Sequence, residues 1–142
     1  MIVGLGALIV AAFFTGAAFY INIAEQPARL SLDDAAMLAE WKISCARGFV
    51  VQAPLCALGC LLGLVAWWQT GAWGFAIGAL AMIANGPWTG LTIISLNKAL
   101  AGTDAASAGP ETHALMTRWG SRHAVRTALG AAAIAAFLSS LV

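Results

Sequence analysis

Charge is scarce in this chain of 142 residues: Lys, Arg, Asp and Glu make up only 9% of it, whereas hydrophobic residues make up 61%. A soluble domain carries about 25% charged residues, so too few polar side chains are present to cover a water-soluble globule. The high hydrophobicity also excludes a disordered chain. A net charge of +1 offers no basic patch, so nucleic acid is not expected as a partner. The composition predicts an integral membrane protein with a single domain, residues 1–142.

Charge-free runs indicate where the chain crosses the membrane. A helix needs about 20 apolar residues to span the hydrocarbon, and three runs exceed that length. The last run begins at Thr127 and is short, so the fourth helix is expected to begin near Pro110 and to carry His123 and Arg126 at the membrane edge. The runs lack the alternation of barrel strands. The predicted fold is an all-α bundle of four transmembrane helices, with spans at about 2–24, 48–69, 72–97 and 120–141.

The connection between the first two spans has a helix signal of its own. Ser31 is a good N-cap residue, and two aspartates follow it where acidic side chains favour the helix dipole. Leu38, Trp41 and Cys45 then recur at helical spacing. Residues 32–45 are therefore predicted to form a short interfacial helix on the cytoplasmic surface of the bilayer.

The basic residues predict the orientation of the chain. No Lys or Arg precedes Arg29, so the first apolar run lacks the basic region of a signal peptide and is expected to be a retained helix. All seven basic residues lie in the connections 25–47 and 98–126, and the turn at 69–71 has none. Because basic loops stay in the cytoplasm, both termini are expected outside, in the plasma membrane of a bacterium (its inner membrane).

Polar residues recur on one face of two spans. The third span carries Asn85, Trp88, Thr89, Thr92 and Ser95, and the first carries Thr15, Asn22 and Glu25. One interpretation is hydrogen bonding between helices; the other is a pocket on the cytoplasmic side, since buried ionisable groups in a membrane are usually functional. Tyr20 and Asn22 point to opposite sides of a regular helix, so both line one pocket only where the helix is distorted.

The fourth helix carries a column of like charges. Arg118, Arg122 and Arg126 are spaced by four, which is unfavourable unless something anionic faces them. The candidates are lipid head groups, Glu25, Glu40 and an anionic ligand. His123 lies beside this column, where it either shuttles protons or makes a structural hydrogen bond. The three cysteines lack the partners of a metal motif, so no metal site is predicted.

Four sequence blocks resemble a known family. They are GAAFYINIAEQPARL, WKISCARGF beginning at Trp41, NGPWTGLTIISLNKAL, and GPETHALMTRWGSRHAVR. Their order and spacing resemble the anthrone-oxygenase-like family of small integral membrane proteins, whose named members oxidise an anthrone to an anthraquinone with O₂. The resemblance implicates Tyr20, Glu25, Pro27, Trp41, Lys42, Arg47, Asn85, Pro87, Asn97, Trp119, His123 and Arg126. The chain departs from it at Gln26, where many relatives have His, and at Ser95-Leu96, where a Pro-Thr pair is usual.

The resemblance implies a monooxygenase that uses O₂ as co-substrate and needs no cofactor. His123 would remove the acidic proton of the anthrone, Arg122 or Arg126 would stabilise the resulting anion, and two Trp rings would stack on the substrate. The expected catalytic residues are His123, Arg126, Asn97, Glu25 and Tyr20. The expected substrate-binding residues are Asn85, Trp88, Trp119 and Arg122.

A non-catalytic role is the alternative. The chain would then be an accessory subunit, or a lipid- or quinone-binding protein, in a larger membrane complex, with haem ligation by His123 as a third option. The expected partners are the lipid bilayer and a lipophilic small molecule, together with a second copy of the chain or another membrane subunit.

Overall fold

Helices account for nearly all of the computed structural model, which describes residues 1–142. The four long helices are α1 (Ile2–Leu30), α2 (Asp34–Thr70), α3 (Trp73–Gly102) and α4 (Pro110–Ser139). There is no strand, which confirms the all-helical prediction. By length and composition, α1, α2 and α3 could each cross a membrane. The α4 helix begins at Pro110 as predicted and is more polar, so its membrane crossing stays a prediction.

The four helices pack side by side in a square. Each of α1 and α3 contacts both α2 and α4, whereas the diagonal pairs make few contacts or none. Two clusters of buried apolar side chains hold the bundle together. The cluster nearer the termini includes Ala11, Phe14, Phe75, Ala133 and Phe137. The cluster nearer the long connections includes Met37, Trp41, Ile93, Leu100 and Trp119.

Small residues let the helices approach closely, as the sequence predicts. A Cβ atom added at Gly78 would collide with Phe137, and one added at Gly74 would collide with the end of α4. On the other side of the bundle, a Cβ atom at Gly59 would lie 2.8 Å from the end of the Met82 side chain. The tight turn after α2 is made by Gly71, whose φ of 72° is left-handed and favours glycine.

The predicted interfacial helix is not a separate element. Residues 34–45 are the first turns of α2, because no helix-breaking residue separates them from the span that follows. The N-cap is Asp33, whose carboxylate accepts a hydrogen bond from the Ala36 amide at 2.9 Å, while the Ser31 hydroxyl donates to the Ala28 carbonyl. Their apolar face packs on α3 and α4 and not on lipid, so that prediction was wrong. At 37 residues, α2 is about 55 Å long and extends well beyond the hydrocarbon.

Two π-helical turns interrupt the regular helices. One spans Ile21–Glu25 in α1 and the other spans Thr89–Ile93 in α3. Each lies close to a proline, Pro27 and Pro87 respectively, and proline removes a backbone donor and crowds the carbonyl four residues earlier. Such turns are frequent at functional sites. Both of them contribute residues to the cavity described next.

Candidate functional site

A cavity of about 590 Å³ lies beside the apolar cluster nearer the long connections, whose Trp41, Ile93 and Trp119 form part of its lining. Its volume falls within the range of about 300–1,000 Å³ that is typical of small-molecule sites. Residues of all four helices line it, and several are apolar or aromatic. The polar and ionisable lining residues include Glu25, Lys42, Ser44, Gln52, Thr89, Asn97, His123 and Arg126. The composition suits a largely apolar ligand that carries a few polar groups.

One ring nitrogen of His123 is fixed by Asn22. The His123 Nδ1 atom lies 3.0 Å from Asn22 Oδ1, and the imidazole is only 2% exposed. The Asn22 amide nitrogen donates to the Gly120 carbonyl at 3.0 Å, and the Thr127 hydroxyl donates to Asn22 Oδ1. Because the amide nitrogen faces a carbonyl, the amide oxygen must face His123, so Nδ1 carries the proton. The Nε2 atom of the neutral ring therefore keeps its lone pair, as a base requires.

Three rings form an aromatic wall beside this base. Trp119 stacks on His123 with ring centroids 4.8 Å apart, and Trp41 meets Trp119 edge-on at 6.0 Å. Trp119 is fixed in turn by a hydrogen bond of 2.8 Å from its Nε1 to Asn97 Oδ1. A flat aromatic ligand could pack against such a wall.

Arg126 is a cation without a counterion. It takes part in none of the ion pairs of the chain, and its buried Nε has no hydrogen-bond partner. The guanidinium carbon lies 5.4 Å from the ring centroid of Phe14. A desolvated charge without a partner is costly. The arrangement is therefore suited to a ligand that carries or develops negative charge in the cavity.

Unpartnered polar atoms concentrate around the cavity. Four buried side-chain nitrogen or oxygen atoms of the chain lack a hydrogen-bond partner, and three of them belong to lining residues: Trp41 Nε1, Gln52 Oε1 and Arg126 Nε. The fourth is Asn85 Oδ1. Each such atom costs about 1–3 kcal/mol until something satisfies it. All four atoms are buried, so a ligand in the cavity could bond to them only after the surrounding side chains move.

Arg29 is buried and fully paired, in contrast to Arg126. Its guanidinium forms ion pairs with Glu25 and Glu40, and donates to Ser44 Oγ at 2.7 Å and to Gln26 Oε1 at 2.8 Å. The network ties the end of α1 to the start of α2. It also occupies both carboxylates, so neither of them serves the arginine column on α4 that the sequence suggested.

Gln26 has a structural role in this chain. Its amide oxygen accepts from Arg29, and its amide nitrogen donates to the Met116 carbonyl of α4 at 2.9 Å. It packs against Gly120, where an added Cβ atom would lie 2.8 Å from Gln26 Nε2. The residue at the position where many relatives have His therefore joins α1 to α4 and lies outside the cavity lining.

The structure brings five of the nine predicted site residues together. Glu25, Asn97, Trp119, His123 and Arg126 all line the cavity. They come from three different helices, α1, α3 and α4. Their catalytic and binding roles stay predictions.

The other four predicted site residues lie outside the cavity. Tyr20 is 61% exposed on the outer surface, because the π turn begins after it and leaves it facing outward. Asn85 is buried, and its amide donates to carbonyls of its own helix. Trp88 donates its Nε1 proton to the backbone carbonyl of Arg122 at 2.9 Å, and the Arg122 side chain is exposed. That pair is a contact between α3 and α4.

Among the residues around the cavity that were not predicted as site residues are Asn22, Trp41 and Gln52. The spacing of Trp41, Cys45, Gly48 and Gln52 places them on one helical face, and all four line the cavity. That face is recognisable only if α2 is understood as one continuous helix. For Asn22 the signal was its place in the polar stripe of the first span.

These observations define an all-helical membrane protein that encloses a small-molecule cavity with a positioned imidazole and a free guanidinium. Residues 41–136, more than half of the chain, match the family model described as anthrone oxygenase. The chain therefore belongs to the anthrone oxygenase family. No curated protein and no solved structure matches it.

Proposed function

We propose that this protein is a membrane-embedded, cofactor-independent oxygenase that acts on a lipophilic, anthrone-like aromatic substrate in the cavity. The observation that carries the proposal is the pairing of a fixed base with a free cation. His123 Nε2 keeps a lone pair because Nδ1 is bound to Asn22, and Arg126 has no partner of its own in the same cavity lining. Membership of the family supplies the reaction class.

Each step is then assigned to a residue. His123 removes one proton from the doubly benzylic carbon, and Arg126 stabilises the enolate oxygen that develops. Trp41 and Trp119, which both line the cavity, pack against the flat ring system. An anionic intermediate stabilised by a pre-positioned guanidinium is the kind of charge development that such sites accelerate.

The electrons for oxygen come from the substrate. The carbanion passes one electron to O₂, and the two radicals combine into a peroxide that takes the proton held by His123. His123 then removes the second proton from the same carbon, and hydroxide leaves to form the carbonyl. The hydroxide takes this proton and becomes water. One oxygen atom ends in the product and the other in water, so no external reductant is required.

We also propose that α4 is the fourth transmembrane helix and that both termini lie outside the plasma membrane of a bacterium. The support for the crossing is packing, because α4 lies against the apolar helices α1 and α3 along its length, from Trp119 to Phe137. The support for the orientation is the location of all basic residues near the long connections.

A binding protein without catalysis is the second candidate. The Arg126 guanidinium, in the cavity lining, could donate to a carbonyl oxygen of a quinone as readily as to an enolate oxygen. In that case the purified protein would bind a quinone and consume no oxygen.

Activity of the purified protein in nanodiscs tests the proposal. With an anthrone, we expect O₂ uptake and quinone formation above the rate of spontaneous oxidation, and we expect His123→Ala to abolish this excess. The matched control is His113→Ala, because His113 lies on the same helix, outside the cavity lining, beside Asp34 at 3.2 Å. Equal oxygen uptake by His123→Ala and the wild type would overturn the role of His123. Uptake by the wild type that is no faster than spontaneous oxidation would leave the binding protein as the better explanation.

A further inference from the structure

The cavity reaches the outer surface of the bundle between α2 and α3. Two of its lining residues on α2, Ala46 and Phe49, are exposed, and Phe49 is 67% exposed. On the opposite side of the gap, Ala101 of α3 both lines the cavity and is exposed. A lining residue that is also on the surface marks an opening, so the cavity has a mouth on this side.

Contacts between α2 and α3 close the gap on both sides of the opening. The α2 helix packs closely on residues Trp73–Trp88 of α3 but makes few contacts with Ile94–Gly102, so the helices separate at the cavity. Beyond the mouth the gap is closed again, because the Lys42 amine donates to the Thr103 carbonyl at 2.7 Å and the turn Ala105–Ser107 packs on α2. The opening is therefore a window in the side of the bundle and not a channel along its axis.

The rim of the window is apolar. The exposed residues that line the cavity at the window are Ala46, Phe49 and Ala101, and Phe49 is 67% exposed. Exposed apolar residues at an opening mark a surface that contacts another apolar phase. Phe49 lies inside the predicted span 48–69, so the window meets the hydrocarbon at its edge, and Arg47 and Lys98 mark the head-group level beside it.

Gly48 keeps the passage behind the window open. It lines the cavity, and a Cβ atom added there would have no neighbour within 4 Å. No packing contact therefore requires glycine at this position, and α2 would gain helix propensity from almost any other residue. Because Gly48 lines the cavity, a larger side chain at residue 48 would narrow the passage.

We infer that a flat, lipophilic molecule dissolved in the bilayer enters the cavity sideways, between α2 and α3, through this window. The apolar rim admits molecules that partition into hydrocarbon and excludes hydrated or charged ones, which would lose their solvation. Only after passing Gly48 and Phe49 does the molecule meet Arg126 and the other polar groups of the inner wall. That the molecule is the substrate rests on the proposed function; the window itself does not.

The chain contains its own reporter of access. Cys45 lines the cavity one helical turn from Gly48, and Cys60 lies farther along the same helix and does not line it. Protein in liposomes is treated with a bilayer-soluble maleimide or with a sulfonated maleimide present on both sides. Labelling of Cys45 relative to Cys60 is read by peptide mass spectrometry. We expect the bilayer-soluble reagent to label Cys45 about tenfold faster, since a sulfonate loses its hydration in the window.

The second part of the experiment uses a substitution that fills the passage. Gly48→Leu is expected to lower labelling of Cys45 by the bilayer-soluble reagent about tenfold while leaving Cys60 unchanged. The matched control is Gly16→Leu, because Gly16 is also exposed with no neighbour within 4 Å but lies outside the cavity lining. Ala101→Leu narrows the window from α3 and repeats the test should Gly48→Leu fail to fold.

The outcomes separate the window from the chemistry. Faster labelling of Cys45 by the sulfonated reagent would show access from water and overturn the inference, as would undiminished labelling in the folded Gly48→Leu and Ala101→Leu variants. The labelling experiment does not depend on catalytic turnover, so it tests the window independently of the oxygenase activity. A protein that passes this test but consumes no oxygen with an anthrone keeps its window and loses the proposed function.

Discussion

Asn22 accepts the Nδ1 proton of His123 at 3.0 Å and so joins the π turn of α1 to the middle of α4. The same oxygen accepts from Thr127, and the amide nitrogen binds the backbone of α4. The direction of the imidazole is therefore set by a neighbour on another helix. The Nε2 atom of His123 stays free to act as a base. A substitution of Asn22 therefore changes the orientation of the base without replacing His123 itself.

Asn22→Leu is expected to reduce kcat for anthrone oxidation by about 10–100-fold, with a small effect on KM. The reason is that His123 keeps its place against Trp119 but loses the partner that selects its tautomer. Steady-state kinetics measure the effect, and nitrogen NMR of labelled histidine measures the tautomer. Thr127→Val is the control, since it removes one bond to Asn22 and leaves the contact with His123. An unchanged kcat in Asn22→Leu would contradict the assignment.

Arg126→Met is expected to raise the thermal stability of the ligand-free protein while lowering its oxygenase activity by about 100-fold or more. An unpaired, partly buried cation costs free energy in the resting protein, whereas the same charge stabilises the anion during the reaction. Thermal unfolding in detergent and O₂ uptake are measured side by side. A lower Tm in Arg126→Met would mean that Arg126 has a structural partner. It would argue against the proposal that this guanidinium pairs only with the bound ligand.

Arg29→Met is expected to have the opposite effect on stability and to cost about 3 kcal/mol or more. Removing this guanidinium leaves two carboxylates without their partner, and the remaining charges are only partly hydrated. The same unfolding measurement gives the result, with Arg118→Met as the control because Arg118 is exposed and forms no ion pair. Equal stability of the two variants would show that the network contributes little.

Gly120→Ala is expected to destabilise the bundle by about 1–2 kcal/mol, because its new methyl group displaces Gln26 and breaks the bond to the Met116 carbonyl. A double-mutant cycle with Gln26→Ala checks the cause. If the collision is responsible, Gly120→Ala costs much less in the Gln26→Ala background. Additive effects would place the strain elsewhere.

A periplasmic reporter fused to the C-terminus tests the orientation. Alkaline phosphatase at this end is expected to be active, because the basic residues lie near the opposite end of the bundle. The control is the same enzyme inserted after Ala106, in the connection between α3 and α4, where it is expected to be inactive. Activity at Ala106 and none at the C-terminus would reverse the topology.

The sequence predicts the number and approximate extent of the helices because apolar length is a direct physical requirement of the bilayer. It was wrong about residues 34–45, since Leu38 and Trp41 form the same apolar stripe whether that stripe meets lipid or neighbouring helices. Pairing of Arg29 with Glu40 was not predictable, because it depends on the turn that brings α2 back against α1.

Site residues were predictable from the sequence where the charge of a side chain limits the environments in which it can lie. His123 and Arg126 are costly to place in lipid and face inward. Tyr20 and Trp88 can sit at a membrane surface without such a cost, so membership of a familiar sequence block did not determine which way they point. The π turn after Tyr20 also changes the helical register, and nothing in the local spacing shows such a change.

The two apolar clusters have a mechanical consequence for the molecule. Tight packing of Phe75 with Phe137 near one end, and of Trp41 with Trp119 near the other, fixes the helices at both ends of the bundle. Trp41 and Trp119 also line the cavity, whereas no residue of the first cluster does. A ligand that enters therefore pushes against the second cluster and leaves the packing around Phe75 and Phe137 unchanged. Local opening at this end of the bundle would admit and release a rigid, multi-ring ligand at a lower cost than unfolding the whole bundle.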